Sequence, residues 1–361
     1  MCSINHNFHV MIKRKKTRKV WVGNVPIGGG APISVQSMTK TDTRDVSATT
    51  RQIKRLEKAG CEIIRVAVPD MESASVLSKI KKGIKIPLVA DIHFDYRLAL
   101  KAIESGVDKL RINPGNIGAE WKVKEIVKSA KEKKIPIRIG VNAGSLPRDL
   151  LAKYKKPSPP ALVEAALRQV RILEDLNFED IVISLKAFDV PTTVEAYQLI
   201  SKKTKYPLHL GITEAGLPLL GSVRSALGIG LLLAEGIGDT IRVSLTEDPM
   251  EEVKVGYEIL KSLNLREHGP TIISCPTCGR CEIDLISLTK KVEQRLKNFH
   301  APLKIAVMGC VVNGPGEARD ADVGIAGGKG YGLLFRKGKE VGKVKEMDLI
   351  KALTDIVKNL T

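Results

Sequence analysis

Short apolar runs rich in β-branched residues recur along the first two thirds of the chain, and segments with helical spacing of apolar residues separate them. Such runs are typical of buried strands, and their alternation with helices predicts parallel pairing. Eight strand–helix units fit a closed (β/α)8 TIM barrel better than an open doubly wound sheet, which stays the alternative on this pattern. The predicted strands are 33–38, 63–68, 87–92, 108–113, 136–141, 180–185, 207–212 and 239–245.

A break in the pattern predicts a domain boundary. The eighth helix is predicted over 249–263, and 264-NLREHGP-270 then ends the periodicity. The connection 142–179 is long and contains 157-PSPP-160, so we expect an extra loop or helix there. The predicted divisions are a basic N-terminal lead-in over 1–31, a barrel over 32–264 and a small α/β domain over 270–361.

Composition indicates a globular protein of the cytoplasm. Hydrophobic residues make up 43% of the 361 residues and charged residues 27%. The N-terminus has no apolar signal region, and the longest apolar stretch, 226-ALGIGLLLAEGIG-238, is too short to cross a membrane. Thiols stay reduced in the cytoplasm, so the six cysteines favour a metal site or catalysis over disulfides.

The net charge of +18 has two interpretations. It indicates either an anionic partner or lysines that are merely solvated on helix faces, as in 79-KIKKGIK-85. Nucleic acid is the less favoured of the possible anionic partners, because only 4% of residues are aromatic and bases need stacking surfaces.

Cationic side chains recur inside the apolar runs, where a buried charge is costly unless it is paired. For one arginine an internal salt bridge is the simpler explanation. For several at one barrel mouth, a shared anion is simpler, and the planar guanidinium suits phosphate oxygens. The sequence therefore predicts a small phosphorylated substrate held at the carboxyl ends of the strands. The cations concerned are Arg65, Arg111, Arg138, Lys186 and Arg242.

Three further residues near predicted strand ends are candidates for proton transfer. His93 and His209 are equally compatible with a catalytic and a structural role. Glu214, just beyond the seventh strand, is the better candidate for an acid or base.

Four cysteines lie in the predicted small domain. Cys275, Cys278 and Cys281 form C-x2-C-x2-C in 275-CPTCGRCEID-284, and Cys310 follows at a distance. This spacing favours an iron–sulfur cluster, with a zinc ribbon as the alternative. A Gly-Pro-Gly turn in 310-CVVNGPGE-317 is expected to direct Glu317 back toward Cys310.

Long motifs of the chain carry a specific resemblance over about 32–330. These motifs are 34-SVQSMTKTDTRD-45, 87-PLVADIHFDYR-97, 111-RINPGNIG-118, 136-PIRIGVNAGSL-146, 207-PLHLGITEAG-216, 234-AEGIGDTIRVSL-245, 275-CPTC-278 and 309-GCVVNGPGEA-318. They resemble the 4-hydroxy-3-methylbut-2-enyl diphosphate synthase (GcpE) family of the non-mevalonate isoprenoid pathway, in its two-domain bacterial form.

The resemblance implies a phosphate-binding TIM barrel followed by a small α/β domain similar to the sulfite-reductase repeat. It implies an oxidoreductase that reduces 2-C-methyl-D-erythritol 2,4-cyclodiphosphate with two electrons, in a head-to-tail homodimer whose active site is shared between subunits. The cofactor would be a 4Fe–4S cluster bound by Cys275, Cys278, Cys310 and Glu317. An oxygen ligand is harder and more labile than thiolate, so it can yield to a substrate oxygen.

The resemblance also implies roles for barrel residues. Glu214 and Asn313 would lie near the reacting carbon–oxygen bonds. An acidic flavodoxin or ferredoxin is the expected electron donor for a basic protein. The implied substrate-binding residues are Arg65, Arg111, Arg138, Asn142, Lys186, Arg242 and Ser244.

Cys281 departs from the family pattern, which has a residue there that cannot bind iron. It is a spare thiol, an oxidation-sensitive neighbour of the cluster or a ligand that displaces Glu317. We expect a spare thiol or a neighbour, because Glu317 keeps its complete motif.

Overall fold

The computed structural model describes residues 12–297, 299, 301–311, 316 and 319–360. The chain forms two compact units that divide between Arg266 and Glu267. This division lies inside the segment 264–270, where the periodic pattern ends.

The first unit is a barrel of eight parallel strands preceded by a hairpin. Its strands are β1 (Val20–Val22), β2 (Val25–Ile27), β3 (Ser34–Met38), β4 (Ile63–Ala67), β5 (Leu88–Asp91), β6 (Lys109–Ile112), β7 (Ile137–Asn142), β8 (Ile181–Lys186), β9 (His209–Leu210) and β10 (Thr240–Ile241). The order in the barrel is β8-β7-β6-β5-β4-β3-β10-β9. A parallel bridge between Ile183 of β8 and Leu208, just before β9, closes the barrel.

All eight predicted barrel strands are confirmed. The last two, β9 and β10, are only two residues long, although the Arg242 N–H still donates to the Leu210 carbonyl. The outward-facing residues of the strands, such as Leu110 and Ile112, are buried in one continuous apolar core.

Helices alternate with the barrel strands as the pattern predicts. Several begin at an aspartate that caps the first turn by accepting a backbone N–H, as Asp45 does from Ala48 and Asp189 from Thr192. The helices are α1 (Val46–Lys58), α2 (Met71–Lys82), α3 (Tyr96–Glu104), α4 (Pro114–Ile117), α5 (Glu120–Lys133), α6 (Arg148–Tyr154), α7 (Pro159–Asp175), α8 (Val190–Lys203), α9 (Pro218–Ala234) and α10 (Pro249–Ser262). The predicted extra helix in the long connection is α6, and the predicted eighth helix is α10.

The N-terminal lead-in contains an element that the sequence pattern did not predict. β1 and β2 form an antiparallel hairpin. Its Val22 and Ile27 are fully buried against Ile63 and Val89, which lie at the amino ends of β4 and β5. The hairpin therefore closes the floor of the barrel with apolar side chains.

Over its described residues, the second unit contains a five-stranded mixed sheet and two helices of 10 and 12 residues. Its first three strands are parallel and the last two continue as an antiparallel meander, in the order β11-β12-β13-β14-β15. The elements are β11 (Thr271–Ser274), α11 (Leu285–Leu296), β12 (Lys304–Met308), β13 (Val323–Gly328), β14 (Tyr331–Arg336), β15 (Lys339–Lys345) and α12 (Leu349–Lys358). Both helices pack on one apolar core with the inner strands. The two-domain fold class predicted from sequence is confirmed.

Within the described ranges, every helix is too short or too polar to span a lipid bilayer.

Candidate functional site

The barrel interior carries far more positive than negative charge. Side chains alternate along a strand, so residues two apart on β6, such as Lys109 and Arg111, face the same side. Among the residues of the eight barrel strands, Asp91 at the end of β5 is the only acidic one. The cations at these strands and immediately after β10 are Arg65, Lys109, Arg111, Arg138, Lys186 and Arg242.

Asp91 holds two of these cations in place. Arg111 Nη1 donates to Asp91 Oδ1 at 3.0 Å, and Arg65 Nε lies 3.6 Å from Asp91 Oδ2. His93 Nε2 lies 2.9 Å from the same Arg111 nitrogen. Burial alone would raise the pKa of Asp91, but the charges of Arg65 and Arg111 and a hydrogen bond with His93 hold it well below its ordinary value. Asp91 is therefore a fixed negative charge that positions two guanidinium groups.

Among the described residues, the other mouth cations have no such partner. Arg138 is 1% exposed, and none of the described groups bonds to its Nε or Nη1. The buried Lys186 Nζ and the Arg242 Nε also have none. Buried donors without partners are rare in native proteins and indicate a missing ligand or water. These side chains therefore present free donors to the barrel interior.

Two glycines make space for the cations. A Cβ on Gly140 would lie 2.4 Å from Arg111 Nε, and one on Gly211 would lie 2.7 Å from Lys186 Nζ. Any larger residue at either position would displace a cationic head group. The two glycines therefore set where the charges of Arg111 and Lys186 can lie.

The remaining predicted barrel residues surround this cation group. Asn142 ends β7 and Ser244 lies two residues beyond Arg242; both are half-buried. Glu214 is exposed in the loop after β9 and has a φ of 54°, a left-handed conformation that few non-glycine residues adopt. Such strain is often found at functional sites.

Lys109 was not predicted as a site residue. It lies two residues before Arg111 in an otherwise apolar strand, on the same inner face, and it is fully buried. His209 is fully buried as well, and neither ring nitrogen has a partner among the described residues. Burial and nearby cations lower the pKa of His209 well below its ordinary value, which favours its neutral form.

The cysteines of the second unit gather at one edge of its sheet. Cys275 follows β11 and Cys310 lies just beyond β12, and these two strands are parallel neighbours. The Gly309 N–H donates to Cys275 Sγ at 3.3 Å. Cys278 is exposed, and a hydrogen bond from the Arg280 backbone lowers its pKa. A lowered pKa and backbone N–H donors favour the thiolate, which is the form that binds metal.

Cys281 contacts the same segment from another side. A turn joins the Cys281 N–H to the Cys278 carbonyl at 2.9 Å. Its thiol lies 3.3 Å from the Ile283 carbonyl, to which it donates, and a Cβ on Gly309 would lie 2.5 Å from its Sγ. Cys281 therefore already has a hydrogen-bond acceptor and packs against backbone.

Two predicted site residues, Asn313 and Glu317, lie outside the described residues. Across the ranges that the structure does describe, no three histidine, cysteine or acidic side chains are close enough together to hold a metal ion. The soft thiol donors and the shared sheet edge nevertheless fit an iron–sulfur group in their chemistry.

Comparison with known proteins identifies the family. Residues 17–257 match the GcpE TIM-barrel domain, and residues 271–359 match the GcpE protein C-terminal domain. Relatives named 4-hydroxy-3-methylbut-2-en-1-yl diphosphate synthase (flavodoxin) include one from Thermodesulfovibrio yellowstonii, 63% identical over 96% of this chain and 100% of its own. Another, from Clostridium perfringens, is 62% identical over 97% of this chain and 100% of its own.

A solved structure of Plasmodium falciparum HPPK-DHPS covers 68% of this chain and 50% of its own with a TM-score of 0.50. At 14% identity this similarity concerns the fold alone. The matches to the two GcpE domains and to full-length relatives go further: the chain belongs to the GcpE family.

Proposed function

We propose that this chain reduces 2-C-methyl-D-erythritol 2,4-cyclodiphosphate to (E)-4-hydroxy-3-methylbut-2-enyl diphosphate in non-mevalonate isoprenoid biosynthesis. The observation that carries the proposal is the set of cationic donors inside the barrel, Arg138, Lys186 and Arg242, that have no partner among the described residues. A compact diphosphate would supply the negative charge and the hydrogen-bond acceptors for these donors. Membership of the GcpE family supports the choice of this diphosphate.

The reaction places new charge where the cations lie. Two electrons and a proton break the ring carbon–oxygen bond to phosphate and release the neighbouring hydroxyl as water. The open diphosphate carries one more negative charge than the cyclic one. Donors such as Arg138 and Arg242, fixed before the reaction, stabilise that developing charge without reorganisation.

The substrate-binding residues divide into positioned and free donors. Arg65 and Arg111 are fixed by Asp91 and orient the diphosphate. Lys186 is free to contact it. Asn142 and Ser244 supply neutral hydrogen bonds at the rim. The proposed contacts are Arg65, Arg111, Arg138, Asn142, Lys186, Arg242 and Ser244.

Glu214 and Asn313 are assigned to the reacting carbon–oxygen bonds. Glu214, the candidate acid or base, extends from the loop after β9 in a strained conformation, which supports a role there. Asn313 is assigned to the same bonds because it lies in the motif 309-GCVVNGPGEA-318, and its amide can supply hydrogen bonds.

The proposed electron source is a 4Fe–4S cluster bound by Cys275, Cys278, Cys310 and Glu317. When bound, such a cluster supplies electrons at low potential. The chain contributes the thiolates at one sheet edge and a backbone N–H to Cys275 Sγ, which favours its negative charge. Thiols that must stay reduced support a cytoplasmic location.

The electron donor and the assembly complete the proposal. The relatives are named for flavodoxin, and an acidic flavodoxin or ferredoxin would be attracted to a chain with a net charge of +18. We also infer a homodimer with an active site shared between subunits, as the family resemblance implies.

Helix α9 supports an assembly because it exposes apolar residues at helical spacing. Leu220, Val223, Leu227 and Leu231 are each more than half exposed. Such stripes usually mark interaction surfaces. Sedimentation of Leu227→Glu beside the wild type tests this: a monomer is expected for the variant, and an unchanged dimer would remove α9 from the interface.

A barrel enzyme for another phosphorylated ligand, with a structural zinc module, is the competing function. The spacing of the cysteines carries it, since C-x2-C also occurs in zinc ribbons. A zinc site would have no redox activity.

Anaerobic turnover tests the proposed function. The purified chain is given the cyclic diphosphate with reduced flavodoxin, and the product is identified by mass spectrometry. The allylic diphosphate is expected, with none formed when the reductant is omitted. If iron-loaded protein binds the cyclic diphosphate but never consumes it, the proposal is wrong.

A further inference from the structure

Lys109 is a fully buried lysine that no part of the proposed function uses. Alternation along β6 puts it on the inner face with Arg111, whereas Leu110 and Ile112 point into the outer core. Within the part of the chain that the structure describes, its Nζ has no hydrogen-bond partner. Lysine is almost never fully buried without a partner, so this position calls for an explanation.

Apolar side chains cover Lys109 on the side of the barrel floor. Its register partner on β5 is Val89. Val89 packs with Val22, Ile27 and Ile63 in the apolar floor that the N-terminal hairpin closes. An anionic partner for its amino group would therefore approach from the mouth of the barrel.

The groups that face Lys109 inside the barrel do not neutralise it. Arg65 on β4 and Arg138 on β7 are close enough to disfavour its charge, and its own charge acts on His209 of β9. The nearest strand carboxylate, Asp91, is already engaged by Arg65 and Arg111. Burial first, and then the charges of Arg138 and Arg65, lower the pKa of Lys109 well below its ordinary value, which favours the neutral amine in the empty barrel.

We propose that Lys109 takes up a proton from solvent when a diphosphate binds at the mouth, and that the resulting ammonium helps to hold the anion. The step is balanced: the amine and one proton give the ammonium, and the anion provides the charge that the barrel lacks. Lys109 lies two residues before Arg111 on the inner face of β6 and therefore deeper in the barrel. It acts as a positioning residue for the bound anion. This inference rests on the proposed function for the identity of the anion.

The sign of the pH dependence follows from linkage. A bound anion raises the pKa of Lys109, so at pH values between its free and bound pKa the complex holds one more proton than its parts. Affinity must then fall as the pH rises. Lys186 on β8 and His209 are the competing acceptors, because burial lowers their pKa values too.

Titration calorimetry in buffers of different ionisation enthalpy tests the proposal, because the slope of the binding heat gives the number of protons taken up. The anaerobic full-length protein is titrated with the cyclic diphosphate and, separately, with inorganic pyrophosphate, near pH 7.5. We expect net uptake in the wild type. In Lys109→Met, uptake should fall by roughly one proton and Kd should rise about tenfold.

Further arms separate the competing explanations. His209→Gln should keep most of the proton uptake. At pH 7.5 an ordinary lysine is protonated and an ordinary histidine is mostly neutral, so a bound anion favours protonation of Lys109 over that of His209. Uptake that is unchanged in Lys109→Met would overturn the proposal and leave Lys186 or His209 as the acceptor. If Lys109→Met does not fold, the wild type still decides, because binding without proton uptake overturns the proposal. If pyrophosphate binds with uptake but the cyclic diphosphate does not bind, the proposed function fails and Lys109 retains its role.

Discussion

The cations of the barrel and the thiols of the second unit both lie at carboxyl ends of parallel strands, yet the chain builds them differently. The cations come from the strands themselves, are mostly buried, and have their spacing set by register and by Gly140 and Gly211. The cysteines lie on loops beyond β11 and β12, and Cys278 is exposed. A rigid sheet can hold repelling charges ready for an anion, whereas loops can adjust around a metal group that binds them.

Cys278→Ser should break the cysteine site completely and leave the barrel intact. A hydroxyl is a poor ligand for iron compared with thiolate, so we expect iron content and turnover to fall to background. Iron analysis and anaerobic turnover measure the loss, and calorimetry with the cyclic diphosphate should still detect binding. Iron retained at the wild-type level would remove Cys278 from the proposed ligand set.

Arg138→Met should break the barrel site and leave the cysteine site intact. Loss of a buried donor to a diphosphate costs about 2–5 kcal/mol, which corresponds to roughly 30- to 4000-fold in kcat/KM. Steady-state kinetics of iron-loaded protein measure it, and iron content should not change. The matched control, Arg171→Met, removes an exposed arginine on α7 and should leave kcat/KM as it was.

Lys109→Met should show that the barrel keeps a buried amine without a partner at a cost in stability. Burial favours the neutral amine in the folded protein, whereas the unfolded chain binds a proton there, so replacement should stabilise the protein by about 1–3 kcal/mol at pH 7.

The pH dependence of that gain has a definite sign. Because the pKa of Lys109 is depressed in the folded protein, its cost in folding free energy is fully present below that pKa. The cost disappears as the pH rises to the pKa of the unfolded chain, about 10.4. Denaturant unfolding of both proteins between pH 7 and 10 measures this dependence. A variant that is less stable throughout would mean that Lys109 has a stabilising partner in the empty barrel.

Cys281→Ser should have the smallest effect. Its thiol already donates to the Ile283 carbonyl and packs against Gly309, and serine can keep the hydrogen bond. Iron content and turnover within about twofold of the wild type are expected. A loss comparable to that of Cys278→Ser would make Cys281 a ligand and displace Glu317.

Much of the barrel and part of its site were predictable from sequence. The strands are apolar and β-branched on both faces, so their runs are distinct, and charged residues inside them are conspicuous. Lys109 was missed because it is the first residue of β6, where it resembles the solvated lysines elsewhere in the chain until its shared face with Arg111 is known. The hairpin of β1 and β2 was missed because three-residue strands carry too little periodicity.

The cysteine site was less predictable for a physical reason. Spacing identifies the thiols but cannot choose between iron and zinc, or between Cys281 and Glu317, because loop conformation depends on the bound metal. Asn313 and Glu317 lie outside the described residues, so their assignment continues to rest on the motif.

Iron and acid-labile sulfide content of anaerobically purified protein decides whether the cysteine site holds a redox cluster, with Glu317→Ala measured beside it. We expect about four iron and about four sulfide ions per wild-type chain, with altered content in Glu317→Ala. Zinc without sulfide would contradict this expectation, and the barrel would then be a phosphate-binding enzyme with a structural metal module.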